Sequence, residues 1–221
     1  MALQAVLFDL DGTLIDSERD NIESVAMAMR RLGKELSGAE RDFIIGHSWR
    51  DIYDLLVRNH GLTLPMSELI TIAVDEKQSL IREHGFHVLP GACALVERLA
   101  GAGVPLAIAS GSSRREVFEA IEGIGLRPHF RVLLGAEDYA PGKPDPAPYL
   151  AAMKGLGVEA RGCVVIEDAL PGVRSGKAAG AAVVGVEAGN FAGYDLSEAH
   201  VVVRTLEDVT DALFDQVLAL R

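Results

Sequence analysis

The sequence predicts an α/β protein: a doubly wound parallel sheet with a small α-helical domain inserted after its first strand. Three observations lead there. Short apolar runs alternate with longer helical patterns through most of the 221 residues. The runs are apolar on both faces, as strands covered by helices on two sides must be. One stretch, residues 16–87, breaks the alternation with helical spacing and no convincing strand.

Taken in order, "AVLFDL" (5–10), "PLAIAS" (105–110), "RVLLGA" (131–136), "CVVIED" (163–168) and "AAVVGV" (181–186) read as buried strands, with "VVV" (201–203) as a short sixth. Between them "GACALVERLAGAG", "SRREVFEAIEGIG", "APYLAAMKGLG" and "PGVRSGKAAG" carry helical spacing with a glycine near each end. Residues 1–15 and 88–221 are assigned to the sheet domain and 16–87 to the helical insertion. Within the insertion "NIESVAMAMRRLG", "GAERDFIIG", "DIYDLLVRNHG" and "SELITIAVDEKQSLIREHG" read as helices, with "GHSWRD" (46–51) as the loop between the second and third.

Composition narrows the possible partners. With 32 acidic and 21 basic residues the net charge is −11, a field that repels nucleic acid and anionic membrane surfaces. No secretory leader pattern and no run of 18 apolar residues is evident, so a cytoplasmic location is expected. A monomer or weak homo-oligomer is expected. Cys93 and Cys163 both sit in apolar surroundings and read as small core residues. The histidines show no metal-ligand spacing. "GVRSGKA" (172–178) lacks the length and the Ser/Thr of a P-loop, and no G-x-S-x-G elbow is present.

Polar residues collect at the carboxyl ends of the strands, where an open parallel sheet binds its ligands. The first strand runs into Asp9-Leu10-Asp11, the second into Ser110-Gly111-Ser112 and the fourth into Glu167-Asp168; Lys143 follows the third. Two carboxylates about 4 Å apart repel by roughly 1 kcal/mol in water and by about 4 at an effective dielectric of 20. Crowding them makes sense around a hard cation such as Mg²⁺, which takes few carboxylates together with substrate oxygens. Each piece alone has an ordinary reading. "DLDGT" could be a solvated turn, Ser110 the N-cap of the helix that follows, and Glu167-Asp168 an acidic start to the next helix.

Together "FDLDGTLIDSE", "IASGSS", "GKPDP" and "VIEDALPGV", in that order, resemble the four motifs of the haloacid dehalogenase-like hydrolase superfamily. The helical insertion is similar to that of its β-phosphoglucomutase and small-metabolite phosphatase branch. The resemblance implies a Rossmann-like core and a Mg²⁺-dependent phosphatase working on a small phosphorylated metabolite, with a sugar phosphate as the expected class. It implies Asp9 as nucleophile, Asp11 as general acid/base, and Ser110 and Gly111 as holders of the phosphoryl oxygens. Lys143 would neutralise charge, and Asp9, Asp11 and Asp168 would bind Mg²⁺, with Glu167 joining directly or through water. The 46–51 loop of the insertion could reach over the pocket, where Arg50 would meet a phosphate or carboxylate of the substrate. Trp49 would either stack on a sugar face or pack in the core. For Lys77 a solvated helix face is favoured over a place in the cleft. A phosphomutase is the alternative. The mutases generally carry a histidine where Asn21 stands and an arginine at about Trp49, which favours hydrolysis here. A dehalogenase has no use for the Asp9/Asp11 pair, and a non-enzymatic binding protein no reason to keep Asp9, Asp11, Lys143 and Asp168 together.

Overall fold

The structure is a computed structural model that describes residues 2–221. These divide into two compact units, one made of the segment ending at Asp16 together with Phe86–Arg221, the other of Ser17–Gly85. The strands are β1 (Ala5–Phe8), β2 (Leu106–Ala109), β3 (Val132–Leu134), β4 (Cys163–Glu167), β5 (Ala182–Val186) and β6 (Val201–Val203). The helices α1 (Ser17–Arg31), α2 (Gly38–Ile44), α3 (Trp49–His60) and α4 (Met66–His84) form the second unit. In the first lie α5 (Ala92–Gly101), α6 (Arg114–Gly123), α7 (Ala147–Leu156), α8 (Leu170–Ala178) and α9 (Asp211–Ala219).

All six strands are parallel, in the order β3-β2-β1-β4-β5-β6. Strands β1, β2, β4 and β5 are buried at every residue, whereas the edge strands β3 and β6 are partly exposed. That is why the inner runs show no polar alternation in the sequence. Period-two side chains divide them between two layers. Val6, Phe8, Leu106, Ile108, Val164 and Ile166 pack toward α5, α6 and α9. Ala5, Leu7, Ala107, Ala109, Cys163 and Val165 pack toward α7 and α8. Gly176 of α8 allows a close approach, since a Cβ there would lie 2.9 Å from Val183 and 3.1 Å from Val165.

Two short backbone segments bound the helical unit. The Asp16 N–H donates to the His87 carbonyl at 2.8 Å and the Leu89 N–H to the Leu14 carbonyl at 3.0 Å, with Ile15 antiparallel to Val88. Outgoing and returning chain thus form a small ladder.

In the helical unit Val25, Met29, Ile44, Ile52, Leu56 and Leu69 form a separate core. Trp49 and Arg50 open α3 and do not lie in a loop: Ser48 caps that helix, accepting from the Asp51 N–H. Capping stabilises a helix start by about 1 kcal/mol, enough to extend helix into "SWRD". Trp49 packs against the core. Lys77 donates to the Asn21 side chain at 2.7 Å, joining α4 to α1.

Like Asp20 in α1, Glu40 is a buried carboxylate of this unit. It accepts from the Ser37 N–H and hydroxyl at the start of α2, and from Asn59 and His60 at the end of α3, each at 2.8 Å. Burial alone would raise its pKa, but the bonds from Asn59, Ser37 and His60 outweigh that and hold it at about 2. Because the folded value lies below the unfolded one, the stabilisation is complete above pH ~4.5 and is lost as pH falls toward 2, about 3 kcal/mol in all. Glu40→Gln should therefore destabilise this unit at pH 7 and flatten its stability between pH 5 and 3. The single tryptophan, Trp49, lies in this unit, and its fluorescence in urea melts reads the difference.

Candidate active site

The site begins with the register of β1 on β4. Phe8 lies opposite Ile166, and the Asp9 N–H donates to the Ile166 carbonyl at 3.1 Å. This sets Asp9 beside Glu167 and Asp168 where the strand order reverses, the place at which open α/β sheets form a crevice. Asp9, Glu167 and Asp168 are all buried, and one oxygen of each lies within 4.8 Å of the others.

Gly12 makes the next turn possible. Its φ is +77°, and a Cβ there would lie 2.2 Å from Asp168 Oδ2, so any side chain would be strained and would collide with that carboxylate. A Cβ on Gly189, after β5, would come 1.7 Å from the Gly12 carbonyl oxygen, and one on Gly172, in α8, 1.8 Å from Glu167 Oε1. Thr13, fully buried, donates its hydroxyl to Asp168 Oδ1 at 3.1 Å.

Lys143, from the segment joining β3 to α7, supplies the positive charge. Its Nζ donates to Asp9 Oδ1 and, at 2.5 Å, to Glu167 Oε1. The Tyr149 hydroxyl, on α7, donates to the same Glu167 oxygen at 2.6 Å. Asp11 turns toward the end of β2: Ser112 Oγ donates to Asp11 Oδ2 at 2.6 Å and Ser110 Oγ at 3.2 Å. The Ser110 carbonyl accepts from the Tyr139 hydroxyl.

Burial raises the Asp9 carboxyl to about 7, with Glu167 and Asp11 repelling its charge and Lys143 opposing the rise. Asp168 rises to about 9, again through burial first, then through Glu167 and Asp9, with Thr13 pulling down. Burial works against the Lys143 charge, but Asp9 and Glu167 overcome it and hold the amine well above its ordinary pKa. Three buried carboxylates thus face one largely shielded amine, a deficit of positive charge that an oxygen-seeking divalent cation fits.

Of the residues singled out in the sequence, Asp9, Asp11, Ser110, Lys143, Glu167 and Asp168 come together at this end of the sheet, and Gly111 is exposed beside Ser110. Arg50 belongs to the helical unit, is exposed on α3 and pairs with Asp54 at 3.3 Å. Ser110 is not a helix N-cap. That part belongs to Ser113, whose reciprocal bonds with Glu116 start α6. Thr13, Tyr149, Gly172 and Gly189 also belong to the site, and the strand-end pattern of the sequence does not mark them. Thr13 and Gly172 lie inside the quoted motifs. Tyr149 reads as one more apolar core position.

The family model described as haloacid dehalogenase-like hydrolase matches residues 6–186. Hexitol phosphatase A of Escherichia coli (strain K12) is 33% identical over 222 residues, covering 95% of this chain and 94% of its own. The bifunctional riboflavin kinase/FMN phosphatase of Arabidopsis thaliana is 32% identical over 212 residues. That match takes in 92% of this chain and 54% of the relative, so the chain spans about half of that protein. Among solved structures, a HAD family hydrolase from Deinococcus radiodurans R1 with bound phosphate and sodium superposes with a TM-score of 0.78 at 26% identity, over 98% of this chain and 97% of that one.

Proposed function

The chain belongs to the haloacid dehalogenase-like hydrolase family, and on that premise we propose that it is a Mg²⁺-dependent phosphatase of a small phosphorylated metabolite, with a sugar phosphate as the expected substrate class. The observation that carries this is Lys143 bridging Asp9 and Glu167 beside Asp168: a nucleophile-competent carboxylate, one fixed amine, and acidic oxygens to spare for a cation. Relatives named for hexitol phosphate and FMN hydrolysis support small phosphate esters as substrates.

In the proposed reaction an Asp9 oxygen attacks phosphorus, and the bond to the leaving oxygen breaks as Asp11 gives that oxygen a proton. The product is an aspartyl-phosphate on Asp9 and a free alcohol. Asp11, now a carboxylate, takes a proton from water as that water attacks phosphorus, releasing phosphate and restoring Asp9. The Ser110 hydroxyl and Gly111 N–H hold phosphoryl oxygens, and Lys143 balances negative charge on Asp9 and the moving group. Asp9, Asp168 and the Asp11 main-chain carbonyl would hold Mg²⁺, with Glu167 adding a direct or water-bridged contact. The bound ion supplies further neutralisation of the phosphoryl oxygens.

Turnover of p-nitrophenyl phosphate with added Mg²⁺ is the expected result, falling about 100-fold or more when the metal is chelated, since the ion contributes several kcal/mol. Incubation with a hexose 1-phosphate and a trace of bisphosphate should release free phosphate; isomerised sugar phosphate would instead mark a phosphomutase. A folded, Mg²⁺-supplied protein inactive across a broad panel of phosphate esters would overturn the proposal.

A further inference from the structure

We infer that Tyr149 is a positioning residue that fixes Lys143 against Asp9 through Glu167. The inference rests on the phosphatase reading above and adds to it a side chain outside the four motifs. A lysine ammonium sits on a flexible four-carbon stem, so its place beside Asp9 has to be imposed by its neighbours. Two of its three protons go to Asp9 and Glu167. Glu167 Oε1, which receives the second, also receives the Tyr149 hydroxyl. Its Oε2 faces the Ala169 N–H at 3.3 Å.

Tyr149 therefore reaches Lys143 by two routes. The hydroxyl shares the carboxylate oxygen, and the ring face lies 5.1 Å from Nζ, a separation at which a cation is attracted to the ring. Tyr149 is itself enclosed, the largest fully buried side chain among the described residues, on the first turn of a helix packed against β2 and β3. Glu167 sits at the end of a central strand, with Gly172 leaving space for it. Helix, strand and carboxylate make a rigid frame around a lysine that hangs from a loop. The hydroxyl ends on the same Glu167 oxygen that accepts from the amine.

Tyr149→Phe tests this because it removes the hydroxyl and keeps the ring. On p-nitrophenyl phosphate with Mg²⁺, kcat should fall at least fivefold while KM stays within twofold, since Lys143 balances charge that grows in the transition state. The structural control is Met153→Ala, one turn further along the same helix and buried. It should lower Tm at least as much and keep kcat. A crystal structure of Tyr149→Phe gives an answer that does not depend on turnover: Lys143 should have left Asp9 or Glu167. Full kcat in Tyr149→Phe beside an active wild type, or Lys143 keeping both contacts in the variant crystal, overturns the inference and leaves the phosphatase reading standing. An inactive wild type strikes that reading itself, and the crystal still decides the place of Tyr149.

Discussion

Asp9→Asn is expected to lower turnover by more than about 10⁴-fold, the range seen when a nucleophile is removed from a working set; that corresponds to about 5.5 kcal/mol of barrier. The amide matches the carboxylate in size but cannot form the acyl-phosphate at a useful rate. The fold should survive, because the change removes a charge that burial already disfavours and leaves Lys143 its bond to Glu167. Initial rates alongside a thermal melt check both halves. Mg²⁺-dependent turnover at the wild-type rate in this variant would exclude Asp9 as nucleophile.

Lys143→Met should damage activity and stability together. The amine is the charge partner of both Asp9 and Glu167, and all three side chains are largely shielded from water. Removing one member of a buried ionic set costs about 3–5 kcal/mol, because the remaining charges lose their counter-ion. For a chain of this size each kcal/mol is worth about 2–4 °C, so a Tm drop of roughly 6–20 °C is expected. Turnover should fall by about 10²–10³-fold, as when a charge-stabilising donor is lost. Added Mg²⁺ should recover part of the Tm and little of the rate, since an ion can balance carboxylates without occupying the place of Nζ. A variant with unchanged Tm would show that the two ion pairs contribute nothing to the fold.

The parts of this molecule legible in its sequence are those governed by short-range pattern. Strands buried on both faces had to be continuous apolar runs, and they are. The acidic and serine residues of the site were visible because each ends such a run. What stayed hidden depends on contacts between distant segments. Gly189 lies against Gly12 across 177 positions of chain, and nothing in a loop glycine announces its neighbour. Tyr149 bonds Glu167 from a helix where any aromatic residue would read as core. Ser113 displaced Ser110 as the cap of α6 because only Ser113 stands three residues before a glutamate, the spacing that closes a capping box. The same kind of signal, Ser48 with Asp51, marks the true start of α3. The last helix, α9, follows a three-residue edge strand, too brief to set up a strand–helix rhythm.

The ladder between residues 14–16 and 87–89 bears on how the chain reaches its final form. It closes a loop of about 70 residues, and closure entropy grows with the logarithm of length, by about 2 kcal/mol for every tenfold increase. The helices at the two ends of that loop, α1 and α4, are tied to each other by Asn21–Lys77 and Arg31–Glu76. Once they pair, the unconstrained stretch shrinks to the few residues flanking the ladder, so early assembly of the helices would relieve the sheet of most of the entropic cost of gathering its first strand to the rest.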